Sequence, residues 1–257
     1  MRILAVTNQK GGVGKTTTAV NLAASLVATK RRVLMIDLDP QGNATTGSGI
    51  DKSALKSTVY HVLLETKALA DVCVTSSSGF DVIPANRELA GAEVELVNEL
   101  ARETRLKKAL ATLPEDAYDY VLIDCPPALN LVTVNALTAA HAVMIPMQCE
   151  YYALEGLSDL VNTIKKVRAY LNPHLEIEGL LRTLFDPRNA LSQQVSAQLT
   201  QHFGNKVYRT VIPRNVRLAE APSFGVPVLQ HDKSSKGAQA YLALAGELIN
   251  RSGAANG

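Results

Sequence analysis

Short, continuous apolar runs recur along the chain at 3–6, 33–36, 80–83, 118–123, 142–147, 177–185 and 207–212. Runs of this length without polar alternation predict strands buried on both faces. Between them lie segments whose apolar residues fall three and four apart: 19–29, 53–65, 68–72, 89–113, 131–140, 150–171, 191–203 and 234–250. That spacing predicts amphipathic helices. Strands alternating with helices predict an α/β fold, a mostly parallel, doubly wound sheet with helices on both faces. A chain of 257 residues, 47% of them hydrophobic, is long enough for one such domain. Residues 1–257 are therefore expected to form a single unit, with a frayed polar tail over 251–257.

The polar residues that matter cluster at strand ends. After the first apolar run comes Gln9-Lys10-Gly11-Gly12-Val13-Gly14-Lys15-Thr16-Thr17, and then an Ala- and Leu-rich helix. Strand, glycine-rich loop and helix in that order predict a phosphate-binding loop. Glycines let backbone N–H groups close around phosphate oxygens, and the helix points its positive end at the same anion. Lys15 then reaches the β- and γ-phosphates, and the Thr16 hydroxyl is placed to ligate Mg²⁺. An ordinary glycine-rich turn would not account for two lysines and two threonines. Where the common pattern begins with glycine this chain has Gln9, and it carries an extra lysine, Lys10, at the loop's mouth.

Two further strands end in acids. Run 33–36 leads into Asp37-Leu38-Asp39-Pro40-Gln41-Gly42-Asn43, on the edge where open α/β sheets bind ligands. Run 118–123 leads into Asp124-Cys125-Pro126-Pro127. An apolar run ending in Asp downstream of a phosphate loop describes a Walker B element, so Asp124 is assigned to Mg²⁺, through a water. Cys125 has no His near it in sequence to act as a base and is read as a core residue. Pro187-Arg188-Asn189 and Pro213-Arg214-Asn215 each follow a strand. Asn offers a donor and an acceptor that match an adenine edge, and Pro can cover the ring. Both triplets are equally readable as helix-entry turns.

Charge and cysteine usage narrow the class. Net charge is +2, but residues 165–236 hold eleven Lys and Arg against five acids, a local +6, while the remainder carries −4. Such asymmetry permits a basic face for a polyanion. Lys30-Arg31-Arg32 follows a helix end, where cations offset the dipole, and is read as a solvated cap. Cys73, Cys125 and Cys149 are odd in number and form no Cys-x-x-Cys pair, which suits reduced cytosolic thiols. No apolar run approaches the ~20 residues of a membrane span, and no leader is expected before a strand beginning at Arg2.

The loop Lys-Gly-Gly-Val-Gly-Lys-Thr-Thr resembles the deviant Walker A motif of the ParA/MinD ATPases, whose P-loop NTPase fold it implies. The segment from Asp37 resembles that family's switch I, and the one at Asp124 its switch II. Glu150-Tyr151-Tyr152-Ala153-Leu154-Glu155-Gly156 and Val211-Ile212-Pro213-Arg214-Asn215-Val216-Arg217-Leu218-Ala219-Glu220-Ala221-Pro222 resemble the Soj-type chromosome-partitioning branch. This resemblance implies a weak Mg²⁺-dependent ATPase in which Lys10 crosses to the phosphates of a second subunit and ATP sits between two copies. It implies that Asp39 helps to place the attacking water, that Asp37 supports the Mg²⁺ region, and that Pro213 and Asn215 hold adenine. Glu150, Tyr151 and Glu155 are implied at the dimer face. Arg188 and Arg217 match arginines used on non-specific DNA, and a ParB-type centromere-binding partner stimulates hydrolysis. The expected location is cytoplasmic and nucleoid-associated, without membrane docking. A MinD-like membrane-associated division-site ATPase is the rival, but the C-terminus lacks that branch's basic amphipathic helix. An iron–sulfur relative on the same fold would need cysteines at positions other than Cys125 and Cys149.

Overall fold

Every residue of the first strand after Arg2 is buried, as a strand flanked on both edges and covered on both faces must be. The computed structural model describes residues 1–151 and 153–254; Tyr152 and the tail residues 255–257 lie outside the described residues. The strands are β1 (Arg2–Val6), β2 (Val33–Asp37), β3 (Val74–Thr75), β4 (Asp81–Ile83), β5 (Tyr120–Asp124), β6 (Ala142–Gln148), β7 (Glu176–Phe185) and β8 (Val207–Pro213). The helices are α1 (Lys15–Ala28), α2 (Asn43–Gly47), α3 (Val59–Leu63), α4 (Leu69–Val72), α5 (Leu89–Leu96), α6 (Arg105–Leu110) and α7 (Leu131–Ala139). They continue as α8 (Ala153–Tyr170), α9 (Ala190–Phe203), α10 (Val216–Glu220), α11 (Val228–His231) and α12 (Lys236–Ala254).

The strands form one sheet in the order β3-β4-β2-β5-β1-β6-β7-β8. All neighbours are parallel except the short β3, which runs antiparallel to β4. Alternation along each strand sorts the core into two layers. Ile3, Ala5, Leu34, Ile36, Val121 and Ile123 face one layer, which α3 to α9 cover. Leu4, Val6, Val33, Met35, Tyr120 and Leu122 face the other, beneath α1, α12 and the short α2, α10 and α11. The doubly wound α/β reading therefore holds, and β1 sits near the middle with its C-terminal end open to the phosphate loop. Among the described residues no helix is long and apolar enough to cross a membrane.

The structure departs from the sequence expectations where local chemistry overrides periodicity. The helix expected over 53–65 shrinks to α3, which begins where His61 Nδ1 accepts the Thr58 N–H at 3.2 Å. The helix expected over 89–113 breaks after α5, and Ala101 takes a left-handed φ of 54°. Asn135 of α7 holds the break: it donates to the Arg102 carbonyl at 2.7 Å and accepts from the Leu106 N–H at 3.1 Å. The charges there pair across the break, Arg105 with Glu65 and Glu99 and Lys108 with Glu65, not at the expected helical spacing. Thr75, expected in a loop, belongs to β3, and α12 continues to Ala254, past the expected end at 250.

On the far side of the sheet, β7 carries an extra residue, Glu178, where its register with β6 shifts between Val143 and Met144. The next residue, Gly179, lies so close to Tyr208 of β8 that an added Cβ would fall 2.7 Å from the ring and 2.8 Å from the Lys206 carbonyl. Tyr208 is fully buried and cannot swing aside. Gly179→Ala should therefore destabilise the protein by about 1–3 kcal/mol, the usual cost of overpacking. A urea melt should show a lower midpoint, and an unchanged midpoint would contradict this packing.

Candidate functional site: a phosphate loop over buried carboxylates

The loop between β1 and α1 is held open by backbone geometry. Gly12 and Gly14 adopt φ of 73° and 84°, the left-handed region that a side chain disfavours. A Cβ at Gly11 or Gly12 would meet nothing within 4 Å, so the mouth of the loop is clear. Three bonds from neighbouring strands fix its shape. Asn8, buried, donates to the Pro146 carbonyl at 2.8 Å and accepts the Lys10 N–H at 3.0 Å. Thr183 of β7 donates its hydroxyl to the Val13 carbonyl at 2.7 Å. Lys15 is buried and folds back across the loop, its Nζ donating to the Lys10 carbonyl at 2.9 Å. Burial pulls the Lys15 ammonium below its ordinary range, and Asp124 is the foremost charge opposing that shift. Thr16 and Thr17 open α1, with the Thr17 carbonyl taken by Asn21.

Beneath the loop the sheet register brings two carboxyls together. Asp124 is the Cα partner of Val6 on one side and of Asp37 on the other. Along β5, Tyr120 and Leu122 belong to the core layer under α1, and the same alternation turns Asp124 toward the start of α1. Asp124 is completely buried and neither of its oxygens has a hydrogen-bond partner. Burial raises its pKa well above the carboxylate range, and the charge of Asp37 adds to this. The nearby Thr16 hydroxyl and Lys15 oppose the shift, the hydroxyl without closing a bond.

Asp37 is also fully buried but well partnered. It accepts the Thr45 N–H at 2.8 Å, the Thr45 hydroxyl at 2.7 Å and the Asp39 N–H at 3.1 Å. Burial outweighs these bonds and pushes its carboxyl up to about 6. Thr45 in turn accepts the Ala85 N–H at 2.9 Å, which ties the turn after β2 to the end of β4. Asp37 thus anchors the turn that carries Asp39. Asp39 is half-buried and its Oδ1 accepts the Gln41 N–H at 2.9 Å. It lies close enough to Lys15 and Asp124 to influence both.

The structure gathers Gly11, Gly12, Val13, Gly14, Lys15, Thr16, Asp39 and Asp124 at one end of the central strands. Lys10 stands at the rim, half-exposed, in an ion pair with Glu150. Pro213 ends β8, three strands from β1, on the order of 14 Å across the same sheet edge at ~4.8 Å per strand. Asn215 caps α10, its Oδ1 accepting the Leu218 N–H at 3.2 Å, and Asn189 caps α9 in the same way. The helix-entry reading of both triplets is therefore correct, while the Asn215 amide N–H groups remain available. Arg188 and Arg217 lie at the ends of β7 and β8 but are not bare cations. Arg188 is bidentate on Asp186, which it holds down at about 2. Arg217 contacts Glu220 at 2.7 Å and Asp232 at 3.5 Å. Tyr151 and Glu155 are exposed near Glu150. Cys125 and Cys149 are buried, and burial pushes both thiols up.

Sequence reasoning missed Asn8, Thr45, Thr183 and the Glu150 pairing with Lys10. Thr183 left a trace, a hydroxyl within an apolar strand. The donor set fits a hard divalent cation: a buried carboxylate without a partner next to a hydroxyl, both oxygen ligands. The open glycine loop, Lys15 and the start of α1 fit a polyphosphate.

Comparisons with known proteins agree with this geometry. A family described as an AAA domain matches residues 1–177. The chromosome partitioning protein ParA of Caulobacter vibrioides (strain NA1000 / CB15N) is 54% identical over 253 residues, 98% of this chain and 95% of that protein. The sporulation initiation inhibitor protein Soj of Bacillus subtilis (strain 168) is 54% identical over 257 residues, 100% of this chain and 99% of its own length. A solved structure described as cobyrinic acid a,c-diamide synthase from Mycobacterium smegmatis, with bound ATP analog and magnesium, superposes with a TM-score of 0.85. It is 41% identical and covers 97% of this chain and 94% of that one.

The unpartnered carboxyl makes a stability prediction with a definite sign. Asp124 holds its proton more tightly in the folded chain than in the unfolded one. Folding stability is therefore present at low pH and lost as pH rises above ~4, by at most about 1.4 kcal/mol per pH unit. Asp124→Asn carries no such charge and should melt higher than the wild type without ligand, with a larger margin at pH 7.5 than at pH 5.5. Calorimetry showing a lower melting temperature for the variant at both pH values would contradict the assignment.

Proposed function

The chain belongs to the ParA/Soj family of chromosome-partitioning proteins, and from that premise we propose that it is a Mg²⁺-dependent ATPase that partitions DNA. The observation that carries the reading is the partnerless Asp124 carboxyl beside Thr16 and Lys15, under an open glycine loop. In this reading the loop N–H groups and Lys15 bind the phosphates, with Thr16 and Asp124 holding the cation, Asp124 through a water. Bound Mg²⁺ neutralises phosphate charge, which is most of what phosphoryl transfer requires. Asp39, on the turn that Asp37 anchors, positions the water that attacks the γ-phosphate. Lys15 leaves the Lys10 carbonyl for phosphate oxygens. Pro213 covers the adenine and the Asn215 amide donates to it, its oxygen staying on the α10 cap.

Lys10 is the residue that makes the active form a dimer. Its short tether makes reaching its own γ-phosphate awkward, so it serves the ATP of a second copy, and two ATP molecules lie between two protomers. Glu150 holds Lys10 until then. Pairs this exposed contribute only about 0–1 kcal/mol, so the lysine exchanges Glu150 for phosphate at little cost. Tyr151 and Glu155, close to Glu150 in sequence, belong to the same face.

The dimer brings together two basic edges carrying Arg188 and Arg217, which contact nucleoid DNA through phosphate and so without sequence preference. Both arginines exchange solvent-exposed carboxylates for phosphate on binding. Intrinsic hydrolysis is weak, a ParB-type centromere-binding partner accelerates it, and the protomers then part and release DNA. The protein acts in the cytoplasm, on the nucleoid.

Lys10→Ala should keep ATP binding as a monomer but lose dimerisation with a non-hydrolysable analogue in sedimentation velocity; a surviving dimer would remove the trans role. Arg217→Glu should bind ATP normally yet fail to retain DNA in a mobility shift. Normal retention across a salt series would place the DNA face elsewhere.

A further inference from the structure

The molecule leaves one apolar ridge uncovered on the side of the sheet opposite α1. Helix α5 buries Leu89, Ala92 and Leu96, yet Val94, Val97 and Leu100 follow one another three residues apart with 76, 52 and 89% of their surfaces exposed. Isolated exposed apolar residues are ordinary, but a contiguous line of them marks a contact surface. The flanking residues carry one sign of charge. From 88 to 100 the chain has four glutamates, Glu88, Glu93, Glu95 and Glu99, and no lysine or arginine. Glu99 meets Arg105, and Glu95 accepts the Tyr60 hydroxyl at 2.7 Å. Glu88 and Glu93 have no cationic partner among the described residues.

The charge identifies the occupant. A second copy on this ridge in a two-fold contact would set glutamates against the same glutamates, which is repulsive once water is excluded. A helix with an apolar stripe flanked by lysine or arginine satisfies both features at once. We propose that the Val94–Val97–Leu100 ridge is a docking site for a basic amphipathic helix of another protein. The ridge is also wired to the nucleotide loops. Just before α5, the Ala85 N–H donates to the Thr45 hydroxyl, which donates to Asp37, the anchor of the turn bearing Asp39. A helix seated on α5 would bear on that chain of bonds.

The test uses the full-length protein and a labelled synthetic peptide of roughly 16 residues, with leucines at helical i, i+3, i+4 and i+7 spacing and lysines elsewhere. Anisotropy should report binding that weakens with salt and is absent when glutamates replace the lysines. Val94→Ser with Leu100→Ser should weaken it by about tenfold or more, the two being buried on docking. Glu88→Lys with Glu93→Lys should weaken it as well. All four positions are solvent-facing or half-buried, so circular dichroism melts should stay near wild type. Hydrogen exchange should show new protection over 88–100. Equal affinity for the serine variant, or protection confined to other segments, would overturn the proposal. Self-association of the wild type that the serine variant abolishes would assign the ridge to a second copy and overturn it too.

Discussion

A carboxyl that finds no partner in its own protein lies at the centre of this structure. Asp124 occupies the end of a fully buried strand, and its oxygens are shielded from water and from every donor. Evolved interiors pair their buried polar groups, because an unpaired one costs on the order of 1–3 kcal/mol and a charge costs more. The surrounding architecture explains why the cost is carried. Parallel register sets Asp124 beside Asp37 and across from the root of the glycine loop, and α1 begins with Lys15 and Thr16 directly above. The unliganded site is an incomplete charge arrangement, and a cation with a polyphosphate completes it.

The same arrangement connects the parts that must respond to nucleotide. Asp37 spends its hydrogen bonds on Thr45 and Asp39, and Thr45 passes the connection to Ala85 at the end of β4. Thr183 joins β7 to the loop through the Val13 carbonyl, and Asn8 joins it to β6 through Pro146. A change at the phosphates can therefore reach both halves of the sheet through single hydrogen bonds. At the rim, Lys10 is held by a half-exposed partner. The interior contacts are built to persist and the rim contact to be exchanged, a division that suits a dimer made and broken by its nucleotide.

Much of this was legible in the sequence because it is local. The strand–loop–helix signature of 9–17, the acids at strand ends and the continuous apolar runs each lie within a few residues, and the structure places them as expected. The misreadings came from contacts made at long range. Asn135 breaks a helix that periodicity predicts as continuous, by bonding to Arg102 and Leu106. Glu150 meets Lys10 across 140 positions, and no spacing rule connects them. The arginines at 188 and 217 counted as surplus positive charge in the sequence, whereas folding brings each against acids. Short elements such as α2, β3 and α11 were below the length at which a period can be recognised.

The central claim is that Asp124 and Thr16 form the cation half of a nucleotide site whose other half is the loop. Calorimetric titration of the wild-type protein with a non-hydrolysable ATP analogue, with and without Mg²⁺, tests it most directly. The account predicts that Mg²⁺ tightens binding by about tenfold or more, roughly 1.4 kcal/mol or above, and that Asp124→Asn loses this increment while Lys15 still binds phosphate. Equal affinity with and without Mg²⁺ in the wild type, or an undiminished Mg²⁺ effect in the variant, would contradict it.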